Sequence, residues 1–141
     1  MNRNMVVAEW NRARESLRAA QALTHDGLYA DAISRAYYAI LHAAKAGLHV
    51  HDVAAESHPT VRRMFGLHLV KPGEIEPEWS AYLTASLDDR LAADYDVETS
   101  FSQEDARDEC RRSQQFLKRV KSYLLKNGLK EADLRKRTRG R

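Results

Sequence analysis

Arg90, Asp94 and Tyr95 stand in the stretch RLAADYD, where a helical pattern comes to its end. Together they bring a guanidinium, a carboxylate and a phenol within about one helical turn. Arg90 and Asp94 are four apart, so they share a helix face and can pair, while Tyr95 lies one step round where the pattern breaks. A guanidinium fork grips phosphate oxygens in pairs and a phenol can donate to them, so the group is able to hold a phosphate. The same residues also fit an ordinary surface pair of roughly a few tenths of a kcal/mol beside a helix-end aromatic.

Other side chains widen the chemistry. His58, between Ser57 and Pro59, falls at a helix N-terminus, where backbone N–H groups favour an anion. Either Ser57 or His58 can equally act there as a plain cap. Tyr37 and Tyr38 are adjacent, so on a helix they face different ways: one belongs to the core, the other to the helix-four motif or to a dimer mate. Arg35, Arg62 and Arg63 supply positive charge nearby. His42, His49 and His51 invite a metal, but no Glu or Cys stands at ligand spacing beside them, and a solvated loop pair accounts for them better. Asp94 and Asp96 could chelate a cation only in competition with Arg90. No metal and no cofactor is expected.

These residues must be positioned by helices. The three prolines, Pro59, Pro72 and Pro77, fall between periodic segments, and no stretch alternates as a strand does. Val6, Trp10, Ala13, Leu17, Ala20 and Leu23 define a first helix stopped by Asp26-Gly27. A second runs from about Tyr29 to Leu48 with many small residues, which permit close helix approach. SHPTVRRMFGLHL forms a short third helix with Val61, Met64, Phe65 and Leu69 inward. Pro77 opens a fourth, with Leu83, Leu87 and Leu91 on one face, that leads into RLAADYD. Ser102 and Asp105 form a capping box for a fifth, carried by Ala106, Cys110, Ser113, Leu117, Val120 and Leu124 to Gly128.

A chain of 141 residues is one domain's worth. The lone Cys110 allows no internal disulfide and suits a reducing compartment, and no apolar run or leader pattern points to a membrane or to export, so a cytoplasmic protein is expected. The net charge of +3 conceals an asymmetry: residues 1–117 carry 13 basic against 18 acidic side chains, and residues 118–141 carry 10 against 2. Residues 1–127 are therefore read as the bundle and 128–141 as a basic, disordered tail. Its cluster Arg135, Lys136, Arg137, Arg139 and Arg141 is either a phosphate-attracting arm or a solubilising, partner-binding end.

The succession AISRAYYAILHAAKAGL, then Ser-His opening helix three, then RLAADYD, resembles the HEPN domain (higher eukaryotes and prokaryotes nucleotide-binding domain), from about Trp10 to Leu125. The resemblance implies an antiparallel, commonly homodimeric helical bundle. It further implies either a metal-independent ribonuclease or a partner of a minimal nucleotidyltransferase in a toxin-antitoxin pair. The ribonuclease members place a histidine after the helix-four arginine with four to six residues between them; here the residue with four between is Tyr95, and no histidine follows. A phenol used as a base at neutral pH costs about 4 kcal/mol relative to a group already deprotonated. His58 then becomes the candidate for the missing base. Tyr95 is left to position a phosphate or, as in some family members, to accept a transferred nucleotide.

The expectation is an all-α, antiparallel up-and-down bundle of about five helices. Arg90, Asp94, Tyr95 and His58 are its catalytic set, and Arg35, Tyr38 and Arg62 its nucleotide or nucleic-acid contacts. It acts as an RNase-like effector, as a non-catalytic nucleotidyltransferase partner, or as a purely structural adaptor, and it works as a homodimer that binds RNA or a nucleotide.

Overall fold

The computed structural model describes residues 1–135, and these form helices without strands. α1 (Arg3–His25) and α2 (Tyr29–His49) form an antiparallel pair: the Asn2 amide reaches the His49 carbonyl at one end, and Gly27, with φ of +81°, turns the chain at the other. α3 (His58–Phe65) passes into a π-helical turn over Gly66–Val70, followed by α4 (Pro77–Tyr95), α5 (Gln103–Lys126) and α6 (Glu131–Arg135).

α2 is the centre, packed on α1, α4 and α5. Its alanines make this possible, because Ala32, Ala36, Ala39, Ala43, Ala44 and Ala46 are all fully buried and let neighbouring helices close in on several sides. Tyr37, Ile40 and Leu48 join Phe65, Phe116, Val120, Tyr123 and Leu124 in the core. The helix starts are fixed locally. The Asn2 side chain accepts from the Met5 amide and that of Ser57 from the Thr60 amide, while Ser102 and Asp105 complete the expected capping box.

Three sequence expectations need correction. The third helix does not continue regularly to Leu69: from Gly66 it widens into the π turn, closed by the Lys71 amide on the Gly66 carbonyl, and this brings Leu69 and Ile75 into the core. Leu91 shares a helix face with Leu83 and Leu87 but does not join them against the core, and it is 42% exposed at the end of α4. The segment from residue 128 is not disordered as a whole. Leu129 and Leu134 are buried, Asp133 caps the Lys130 amide, and Arg14 and Arg3 bond the carbonyls of Leu134 and Gly128. Two correctly spaced leucines are enough to dock one helical turn that overall charge had argued against. The remaining basic cluster, Lys136 to Arg141, lies outside the described residues.

Candidate functional site

α2 presents two adjacent tyrosines in different settings. Tyr37 is 2% exposed; Tyr38, one step round, packs at the edge of the core. The N-terminus of α3 is set by the Ser57 cap, which places His58 against α2. There His58 Nδ1 and Tyr37 Oη are hydrogen-bonded, and their rings stack with centroids 5.3 Å apart. Tyr38 meets the same imidazole edge-on at 6.3 Å.

α4 adds the charge. Arg90 Nη2 donates to Tyr38 Oη at 3.0 Å, and its guanidinium carbon lies 5.4 Å from the Tyr38 ring centre and 5.9 Å from that of Tyr37. Asp94, one turn on, sets an oxygen 2.8 Å from Arg90 Nε. Nε is buried and makes no hydrogen bond in spite of that ion pair, and Nη1 has no partner among the described residues, so the guanidinium keeps unused donors for an anion. Arg35 approaches Tyr38 as well, 5.2 Å from its ring centre.

The electrostatics of this cluster favour neutral protonation states. Burial, reinforced by the charges of Arg90 and Lys45, lowers the His58 pKa below its ordinary 6.5, so the imidazole is uncharged at neutral pH. Burial pushes the Tyr37 phenol up to about 12, which keeps its proton on. With Tyr37 neutral, the tautomer in which Nδ1–H donates to Tyr37 Oη leaves the Nε2 lone pair free to take a proton.

The sequence overlooked a half-buried ion cluster between α1 and α2. Glu9, on the core side of α1, receives Lys45 Nζ at 3.2 Å and His42 Nδ1 at 2.7 Å, with His49 Nε2 at 4.0 Å. Burial works against the Glu9 carboxylate, but the His42 hydrogen bond and the Lys45 charge outweigh it and hold the pKa below the usual range. The available signal was a glutamate flanked by Val6, Trp10 and Ala13 on an otherwise apolar stripe.

Of the predicted site residues, Arg90, Asp94, His58, Tyr38 and Arg35 come together. Tyr95 does not join them: it is 71% exposed at the end of α4, with no hydrogen bond or ring contact among the described residues. Arg62 is exposed and reaches Tyr37 only through its charge. Asp96 closes the loop after α4 by accepting from the amides of Glu98 and Thr99. The weighed histidines part company, with His42 on Glu9 and His51 Nε2 2.6 Å from Tyr123 Oη.

The sequence model of the HEPN domain matches residues 7–123, which include every member of this cluster. The chain belongs to the HEPN domain family. Two Methanocaldococcus jannaschii proteins named "Putative toxin" are similar to it. One is 38% identical over 112 residues, covering 79% of this chain and 83% of its own. The other is 32% identical over 120 residues, covering 84% and 82%. A UPF0332 protein of Pyrococcus horikoshii is 46% identical over 76 residues, 54% of each chain. In this HEPN domain, no helix among the described residues is long and apolar enough to cross a membrane.

Proposed function

We propose that this HEPN protein is the RNase-like effector of a toxin-antitoxin or defence module, cutting RNA at a phosphate gripped by Arg90. The observation that carries this reading is the junction of Arg90 with a neutral His58 bonded to Tyr37, which offers a phosphate-binding fork and a proton acceptor side by side. His58 Nε2 takes the proton from a ribose 2′-hydroxyl, the oxygen attacks the adjacent phosphorus to give a 2′,3′-cyclic phosphate as the P–O5′ bond breaks, the departing 5′-oxygen takes a proton from water, and Arg90 offsets the charge that builds on the phosphoryl oxygens. Asp94 fixes the guanidinium plane, and Tyr37 fixes the imidazole. A base from α3 removes the need to ionise Tyr95. The toxin names borne by two relatives agree with this reading.

The protein works as a homodimer in this reading. Leu91, Tyr95 and Val97 expose apolar surface at the end of α4, where a second subunit would add its own Arg90 near the first.

The test is cleavage of a structured cellular RNA with EDTA present. Wild type cuts, while Arg90→Ala and His58→Ala lose activity yet keep their helical circular dichroism. RNA left intact by the wild type would end the effector reading.

One observation favours a second reading, in which the protein is the non-catalytic partner of a minimal nucleotidyltransferase. The Tyr95 phenol is the most accessible hydroxyl of the motif, free to accept a nucleotide from another enzyme. An intact mass raised by one nucleotide in wild type but not in Tyr95→Phe, after co-expression with an adjacent nucleotidyltransferase, would select this reading.

A further inference from the structure

Cleavage at Arg90 leaves one proton to place. The 5′-oxygen departs as an alkoxide, a poor leaving group, unless it is protonated. Free water can supply that proton, but a donor fixed beside the phosphate moves it in the same step, which contributes about 10²–10⁴-fold. Neither Arg90 nor His58 suits the task, because a guanidinium keeps its protons in a protein and the neutral imidazole is occupied as the acceptor on the attacking side.

Three phenols stand on the elements that carry the site, and their surroundings separate them. Tyr37 is buried, its oxygen is bonded to His58 Nδ1, and burial pushes its pKa up to about 12, so its proton stays. Tyr95 is 71% exposed, with no hydrogen bond or ring contact among the described residues. Tyr38 differs from both. Its ring is partly exposed at the core edge, and its oxygen accepts from Arg90 Nη2 at 3.0 Å. A phenol has one proton to give and two lone pairs. Accepting from Arg90 therefore leaves the Tyr38 proton for another group, and it has no acceptor among the described residues. A phosphate held by the unused donors of Arg90 lies next to it.

The charge left behind is also met. The guanidinium carbons of Arg90 and Arg35 lie 5.4 and 5.2 Å from the Tyr38 ring centre, and Arg90 bonds the oxygen itself. Asp94 offsets Arg90, whereas Arg35 has no ion-pair partner among the described residues. Negative charge growing on the Tyr38 oxygen thus forms beside two fixed cations.

We propose that Tyr38 is the general acid of the cleavage, giving its hydroxyl proton to the departing 5′-oxygen. The role rests on the reading of Arg90 as the phosphate site of a ribonuclease. As His58 Nε2 takes the 2′-proton, the O2′–P bond forms and the P–O5′ bond breaks, leaving its electron pair on O5′, which collects the Tyr38 proton. The phenolate, held by Arg90, then regains a proton from water, and His58 returns one to it. Tyr38 takes the place of free water as the proton source.

Two RNA substrates that differ in one atom at the scissile bond, a natural 5′-oxygen or a bridging 5′-sulfur, test this. The sulfur leaves as a thiolate without being protonated, since a thiol such as that of cysteine ionises at about 8.5. Tyr38→Phe keeps the ring over which both arginines lie and removes only the hydroxyl. Losing the Arg90 anchor slows both substrates alike, so the acid is read from their ratio, and the rate on the sulfur substrate reports that the site is intact. The variant should lose about 10²–10⁴-fold more rate on the oxygen substrate than on the sulfur one. His58→Ala, which removes the base, should slow both. An equal loss on both substrates in Tyr38→Phe overturns the acid role and leaves cleavage at Arg90 standing, as does a variant that matches wild type on the oxygen substrate. Wild type that cuts neither substrate ends the ribonuclease reading and the acid role together.

Discussion

α2 and α4 each supply half of the candidate site, yet they are held in opposite ways. α2 buries 13 of its 21 residues, and its tyrosines are fixed by the same packing that forms the core. α4 buries only Leu83 and Ser86 of its 19 residues. Trp79, Tyr82 and Leu87 pack beside Leu83 on the core, and polar struts add to that hold: Glu76 to Arg119 at 2.7 Å, Asp89 to Arg112 at 3.0 Å and Arg90 to Tyr38. The tyrosine half is thus preformed by hydrophobic burial, with His58 of α3 stacked on it, whereas the charged half also rests on contacts that water, salt or a partner can exchange. A site divided this way has a fixed floor and an adjustable clamp.

Four measurements break or sharpen that contrast. Tyr37→Ala removes a fully buried ring from the α2 side and should lower unfolding free energy by about 3–5 kcal/mol in a urea titration. If the loss is below about 1 kcal/mol, α2 is not the rigid half. Arg90→Ala on the α4 side should do the reverse, reducing RNA cleavage by about 10²–10³-fold while Tm moves by less than ~3 °C. A collapse of Tm would mean that Arg90 is structural.

The third measurement is a pH profile. His58 must be neutral to accept a proton and its pKa lies below 6.5, so cleavage should rise with pH along a limb centred below 6.5 and level off by neutrality. An acid limb centred near 10 would return the base role to a tyrosine.

The smallest effect probes the α4–α5 seam. Glu109 is buried beside Asp89 with one Arg112 between them, and one cation cannot neutralise both carboxylates. Burial first, and the hydrogen bond with Asp89 second, push the Glu109 pKa up to about 9. A folded pKa above the unfolded 4.5 means that the native state holds the extra proton, so stability falls as pH rises from about 4.5 to 9. Glu109→Gln should therefore raise Tm at pH 8 and have little effect at pH 4, as read by differential scanning calorimetry. An equal shift at both values would show that the residue does not titrate in that window.

Much of this was legible along the chain because it depends on near neighbours. Helix limits follow from local stops and caps such as Gly27, Ser57 and the Ser102–Asp105 box, and the Arg90–Asp94 pair follows from four-residue spacing. The failures all involve distant partners. The docking of α6 depends on Arg14, 120 residues away. The outward turn of Tyr95 depends on the absence of any helix over the end of α4 in the described chain. The link from Glu9 through Lys45 to His58 crosses three helices.

The sequence alone determined that this is an all-helical HEPN chain and which residue types crowd the end of its fourth helix, since periodicity, caps and i,i+4 pairing are short-range effects. Only the tertiary structure decided which ring meets which charge. Tyr37 and His58 are 21 residues apart, and Tyr38 and Arg90 are 52 apart. They meet because burying the alanine-rich faces of α2 draws α3 and α4 onto it, a long-range result of hydrophobic packing.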